Sequence, residues 1–292
     1  MNINFLKNFK VLLKITLKDY AYNKRHLFFR QSRNPDMDFA QLRIYCHMLD
    51  KAMNNPNFEK GHSQKIFEEA EFLSNKLRTI YENDKAFIWT SSILEKFKKA
   101  QKTGTPVLDN QQKYLYSSDE IQYLENFLKS RTSCRNFEKT KISKEILEKI
   151  VKLGVDAPTG CCRQSSRFYI TQDDAKIKSL VKNVSGITNF TNIQCLVAVC
   201  VESSYYGLID KNLQFVDASL SAENFILGAR IYGIYGTMCN FFHASMDQID
   251  ECKKTLKIKE SENIVLFIVI GYPILIPEKP TRRNIQTFYK ID

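Results

Sequence analysis

Gly104-Thr105-Pro106 and the polar run that follows to Lys113 divide this 292-residue chain into two stretches of unlike pattern. Before the break, apolar residues recur at helical spacing. After it, short runs rich in Val, Ile, Phe and Tyr alternate with helical segments. We read residues 1–115 as a helical region and 116–292 as a second domain, an allowance that the length permits. Hydrophobic residues make up 43% and charged residues 26% of the chain, the balance of a globular protein. The longest strongly apolar run, Ile264 to Ile270, falls far short of the ~20 residues that cross a bilayer. The N-terminus lacks the separate charged and apolar regions of a secretory signal, so the expected location is the cytoplasm.

The first segment predicts an amphipathic helix. Phe5, Phe9, Leu12 or Leu13, and Leu17 fall on one face, with Lys7, Lys10, Lys14 and Lys18 on another. Residues 1–30 hold seven Lys/Arg against one Asp, which is +6 of the chain's +11. Such a helix suits an anionic membrane surface or an acidic partner, and equally a helix docked on its own protein with its lysines in water. Asn34-Pro35-Asp36 ends it and caps the next helix, whose inner side is Phe39, Leu42, Cys46, Leu49 and Met53. His47, Asp50 and Lys51 sit within one turn of that helix and read as a surface ion network. Two further helices are expected near His62–Tyr81 and Asp84–Lys102, with Trp89 as packing.

Several chemistries are disfavoured. The eight cysteines show no C-x-x-C spacing and do not cluster with the four histidines, so no metal site is expected and the thiols read as free. The basic balance comes with no nucleic-acid module. No G-x-G-x-x-G is present to support a Rossmann dinucleotide site.

After the break, Ser117-x-x-Glu120 forms a capping box. Then comes Arg131-Thr132-Ser133-Cys134-Arg135-Asn136-Phe137. Alternate residues of an extended segment share a side, so Arg131, Ser133 and Arg135 could converge on one anion, with guanidinium forks and a hydroxyl as donors. A helix from Ser143 follows, then the loop Ala157-Pro158-Thr159-Gly160-Cys161-Cys162-Arg163-Gln164. Strands are expected around 167–172, 195–202, 235–239 and 263–271, and helices around 175–183, 215–232 and 246–256. Their alternation by itself suggests an α/β sheet.

Taken in order, the Arg131 stretch, the Ala157–Gln164 loop, Asp217-Ala218-Ser219 on a long apolar helix, Gly233–Thr237, Val269–Pro273 and Arg282-Arg283 resemble the nitroreductase family of flavin-dependent oxidoreductases, over about residues 117–292. The first region resembles a helical extension of nitroreductase-like chains associated with polysaccharide biosynthesis. The resemblance implies an α+β sandwich with a mixed, mainly antiparallel sheet flanked by helices. It implies bound FMN, NADH or NADPH as reductant, ping-pong hydride transfer to a small acceptor, and a homodimer with each flavin at the interface. It assigns the phosphate to Arg131, Ser133 and Arg135, aided by Arg282 or Arg283. Cys162 and Gln164 would lie at the polar edge of the ring, and Gly236 and Thr237 would bring backbone close to it. No fixed acid–base residue is implied. Asp217 reads as an N-terminal helix carboxylate. The chain departs from the family in having Cys162 where Asn is common, and Ser165-Ser166 where Pro-Trp is common. These departures feed an alternative: a flavin-binding or partner-binding module without turnover, attached to a membrane through residues 1–30.

Overall fold

The computed structural model describes residues 34–106 and 113–292, with positions 9, 11–13, 15–17, 19–21, 23 and 24 of the first segment. The described positions of that segment are helical. Its predicted lysine stripe (Lys7, Lys10, Lys14, Lys18) and Phe5 lie outside the described residues.

Three helices follow, α1 (Pro35–Met53), α2 (Gln64–Tyr81) and α3 (Lys85–Thr103). Their starts and stops come from local chemistry. The Asn34 side chain accepts from Met37 N at 2.9 Å with Pro35 at the first helical position, and Asp84 accepts from the amides of Ala86 and Phe87. Gly104 closes α3 at φ 77°, a left-handed turn that glycine takes without strain. Leu42, Cys46, Leu49, Leu77 and Phe97 are fully buried between them, so the 3.6-residue spacing read from the sequence is the inner face. His47, Asp50 and Lys51 form no ion pair with one another. The Asp50 side chain accepts instead from Asn54 Nδ2 at 3.5 Å.

The rest of the chain wraps a four-stranded sheet. In chain order the elements are α4 (Ser118–Lys129), α5 (Lys144–Val155), β1 (Ser166–Thr171), α6 (Asp174–Val181), β2 (Cys195–Glu202), α7 (Leu213–Ile231), β3 (Tyr235–Asn240), α8 (Met246–Leu256) and β4 (Glu262–Gly271). The sheet order is β1-β2-β4-β3, and every neighbouring pair is antiparallel. The helix–strand alternation therefore misleads about strand direction. Residues 182–194 carry the chain back after α6, so β2 begins beside the end of β1, with Leu196 opposite Thr171.

Central β2 is buried at all eight positions because helices cover both faces. Leu147 and Ile150 of α5 pack with Ala218, Ala222 and Phe225 of α7 on one face. Ile177 and Leu180 of α6 and Cys252 of α8 pack on the other. The fold is thus α+β, an antiparallel sheet between helices with an all-helical region before it. Among the described residues the parallel component is confined to single bridges, Ser133 with Gly236 and Asn136 with Thr191.

Candidate functional site

The Arg131 stretch is extended, and its alternation is the one its spacing predicts. Thr132 and Cys134 are buried, Arg131 and Ser133 half-buried, and Arg135 exposed. Both edges of the stretch are occupied. On one side Ser133 bridges Gly236, Cys134 N donates to Gly236 O at 3.3 Å, and Thr237 Oγ1 donates to Cys134 O at 2.7 Å. A Cβ on Gly236 would stand 2.4 Å from the carbonyl oxygen of Val269, so glycine is what lets β3 lie this close to β4 at the point where the stretch joins it. On the other side the C-terminal tail runs antiparallel: Phe137 bridges Pro273, Ile274 N donates to Asn136 O at 3.1 Å, and Cys134 Sγ donates to Leu275 O at 3.2 Å.

Two cations that sequence reading missed stand beside the stretch. Lys279 Nζ donates to Lys129 O at 2.7 Å, and Arg230 Nη2 donates to Ser130 Oγ at 2.9 Å while its guanidinium lies 4.8 Å from the Tyr235 ring centre. Neither carries a mark in sequence: the tail's antiparallel course is what brings Lys279 there, and the packing of α7 beside α4 is what brings Arg230. Arg282 and Arg283 are exposed, and no hydrogen bond joins either to the stretch. Among the described residues no carboxylate lies in ion-pair range of Arg131, Arg135, Arg230 or Lys279. A row of cations with no internal counter-ion is what an anion site requires.

The Thr159–Gln164 loop is built differently. Gly160–Cys162 form one 3-10 turn, and Cys161, Cys162 and Gln164 hold φ of 52°, 57° and 52°. That left-handed backbone is unfavourable for non-glycine residues, which keep it only where neighbours enforce it. Asp217 is the first enforcer. It is 1% exposed, its Oδ1 accepts from Gly160 N at 2.9 Å, and its Oδ2 accepts from Tyr206 OH at 2.7 Å. The helix begins at Leu213, so Asp217 lies a full turn inside it, and the expected capping role gives way to this loop clamp. Arg163 is the second: Nη1 donates to Gly160 O at 2.9 Å, Nε to Tyr205 O at 3.1 Å, and Nη2 pairs with Asp210 at 2.8 Å.

The serine departures point inward. Ser165 Oγ pairs with Tyr206 OH, and Ser166 Oγ accepts from Ser221 Oγ at 2.8 Å, both serines being buried. Burial first, and then the bond to Asp217, push the Tyr206 phenol well above its ordinary value. Cys161 is exposed and Cys162 half-buried; burial pushes the Cys162 thiol up, opposed by the Gln164 amide and the Arg43 charge. Gln164 is exposed, its Nε2 3.6 Å from Cys162 Sγ. Cys46, Cys195 and Cys252 are pushed up to about 12 and Cys239 to about 11 by burial, so these are inert packing thiols.

One chain does not bring the two groups together. Gln164 precedes β1 where Ser166 pairs with Val201, at the end of the sheet marked by Glu262. Gly236 and Ser133 lie at the other end, where Tyr235 pairs with Gly271, and on the opposite edge strand. The eight-residue span of β2 separates the ends by on the order of 25 Å, and three strand spacings add roughly 14 Å across.

Residues 128–203 match the family model of the nitroreductase family. The chain is similar to a protein of Archaeoglobus fulgidus named as an NADH dehydrogenase/NAD(P)H nitroreductase, 27% identical over 146 residues that are 49% of this chain and 82% of that one. It is similar also to an NADPH-dependent oxidoreductase of Staphylococcus aureus, 24% identical over 167 residues, 52% of this chain and 65% of that one. Among solved structures it resembles an NADH dehydrogenase/NAD(P)H nitroreductase of Parabacteroides distasonis, with TM-score 0.52, 21% identity, and coverage of 58% of this chain and 97% of the other. An FMN-dependent nitroreductase of Clostridium difficile gives TM-score 0.50 and 20% identity over 57% of this chain and 98% of that one. The matched segment and these relatives agree in what the chain is similar to: residues 128–203 fit the nitroreductase family model, and the part that carries the sheet shares the fold of the nitroreductase structures.

Proposed function

We propose that the protein is an FMN-dependent NAD(P)H oxidoreductase acting on a small acceptor, with its site assembled from two copies of the chain. The observation that carries this reading is the row of uncompensated cations on the outer side of an extended stretch, closed at Gly236 where backbone must come near. Arg131, Ser133 and Arg135 would hold the phosphate, with Lys279 in the supporting place that Arg282 or Arg283 was expected to fill. Gly236 and Thr237 would bring backbone close to the ring, and Thr237, whose hydroxyl donates to Cys134 O, fixes that backbone. Bound flavin mononucleotide supplies hydride exchange between reduced nicotinamide and the acceptor. The relatives named for NAD(P)H and FMN support both assignments.

The opposite corners at which the cation row and the Cys162–Gln164 loop stand support a site built from two copies, since both groups are assigned to one flavin. Apolar side chains left exposed on α7 (Val216, Leu220), on α4 (Ile121, Leu128) and on the tail (Ile274, Leu275) support such a pairing. We place the boundary between the two regions in 104–115, and the helical region supplies one wall of the loop. The membrane reading for the first segment keeps one support: Phe9, Leu12, Leu13 and Leu17 are each at least half exposed. Co-sedimentation with anionic vesicles, with and without residues 1–30, tests it; equal recovery rejects it.

The decisive experiment is the visible spectrum of the purified protein, followed by NADH or NADPH without oxygen. Flavin bands that bleach support the reading. Bands that persist with both nucleotides favour the module without turnover, and an inability to take up FMN rejects the cation row as its site.

A further inference from the structure

Asp217 and Arg163 hold the Thr159–Gln164 loop from the sheet side. Helix α1 of the N-terminal region holds it from the other, lying against both the Gly160–Cys162 turn and the Ser203–Tyr205 turn. The polar contact is Arg43. Its Nη2 donates to Arg163 O at 2.8 Å, and its guanidinium stands 4.5 Å from the Phe39 ring centre and 5.7 Å from that of Tyr205.

Arg43 is 4% exposed, and its Nε is buried with no hydrogen-bond partner. Among the described residues no carboxylate lies in ion-pair range of it. A buried cation held without a counter-ion is costly, and an apolar side chain of the same length would pack there without that cost. What the guanidinium does that an apolar chain cannot is grip the carbonyl of Arg163. That carbonyl belongs to the residue between Cys162 and Gln164, two of the three left-handed positions. Fixing this peptide sets the backbone entering Gln164 and anchors the residue that follows Cys162. The charges on α1 also reach the thiol, Arg43 lowering and Asp50 raising the pKa of Cys162.

We infer that Arg43 is a positioning residue, through which the N-terminal helical region sets Cys162 and Gln164 for the flavin-side loop. The inference rests on the proposed oxidoreductase reading for what the loop faces, but the positioning itself can be measured without flavin. The test uses the full-length chain carrying Cys161→Ser. In it Cys162 is the one cysteine that is not buried, so dithiobisnitrobenzoate reports on it alone.

Arg43→Ala should raise the Cys162 labelling rate per thiolate by at least about tenfold, the factor that loss of one charge-assisted hydrogen bond allows, and Arg43→Lys should recover part of the protection. The rate per thiolate is taken from the pH–rate profile, because losing the Arg43 charge lowers the thiolate fraction. In flavin-loaded protein Arg43→Ala should raise KM for the nicotinamide with flavin occupancy unchanged. An unaltered labelling rate overturns the inference. So does labelling of Cys195 and Cys252 alongside Cys162, which would mean general loosening. If Arg43→Ala does not fold, the Arg43→Lys rate decides alone, and equality with the parent overturns it. A parent that takes up no FMN sinks the oxidoreductase reading and leaves the labelling comparison intact.

Discussion

Asp217 reaches from inside helix α7 to the amide of Gly160 at 2.9 Å, and with its other oxygen it accepts from the hydroxyl of Tyr206 at 2.7 Å. One buried carboxylate thus ties the long helix, the loop before β1 and the turn after β2 into a single joint. Removing it leaves the Gly160 amide without its acceptor and the buried Tyr206 hydroxyl with Ser165 alone. Asp217→Ala should cost about 3 kcal/mol, since each buried polar group left unsatisfied costs about 1–3 kcal/mol. Asp217→Asn keeps one acceptor and should recover more than half. Thermal unfolding followed by circular dichroism reads both, and equal midpoints for wild type and Asp217→Ala would contradict the joint.

The cation row makes a separate prediction. Arg131→Ala combined with Arg135→Ala removes two charge-assisted bonds to a phosphate, each contributing ~1.5–3 kcal/mol, so FMN affinity should fall at least about a hundredfold. Stability should barely change, because neither side chain is buried. Fluorescence titration with free FMN measures the first and a melting curve the second. Undiminished affinity would mean that the phosphate binds elsewhere.

Gly236→Ala tests the closeness of backbone at the same place. The added methyl meets Val269 O at 2.4 Å and Ile270 Cγ2 at 2.7 Å, and a backbone oxygen cannot swing away. We expect about 2–3 kcal/mol of destabilisation from overpacking, together with weaker FMN binding. The companion Gly233→Ala, with open space around its Cβ but φ of 71°, should destabilise without touching FMN. Equal flavin effects from the two would show that only stability was being read.

Stability should also depend on pH through Glu262, which faces Glu202 across β2 and β4 and accepts from Tyr169 OH at 2.6 Å. Burial is the larger cause that raises its carboxyl, with the nearby Glu202 charge adding to it and Tyr169 opposing. A carboxyl whose folded pKa is raised binds more protons folded than unfolded, so its contribution is present below the unfolded value. It is lost as pH rises through the folded one. Glu262→Gln, which still accepts from Tyr169, should therefore raise Tm by a few degrees at pH 8, with the gain shrinking toward pH 4. A constant difference across that range would remove Glu262 as the titrating group.

The sequence was legible where local chemistry decides the outcome. Asn34 and Asp84 announce their helices, Ser117 with Glu120 forms the capping box, and Arg131, Ser133 and Arg135 share a side because period two is a property of any extended chain. What escaped it depends on contacts far apart in the chain. Lys279 reaches Lys129 across 150 positions, and Arg43 reaches Arg163 across 120. Asp217 looked like a cap because helix starts are uncertain by a turn, and Ser165 and Ser166 looked like altered ligands because their inward pairing with Tyr206 and Ser221 has no local signal. Alternation alone misleads about strand direction for a like reason, since residues 182–194 carry no mark of where they return, and it is the family resemblance that implies the mainly antiparallel sheet observed.

The extended stretch is gripped on one edge by Gly236 and Thr237 and on the other by Leu275. During synthesis the ribosome delivers Cys134 103 residues before Thr237 and 141 before Leu275. A nascent chain halted short of Leu275 thus holds Arg131, Ser133 and Arg135, the proposed phosphate ligands, without the second clamp that fixes their backbone. The proposed site is consequently complete only in chains translated beyond that clamp.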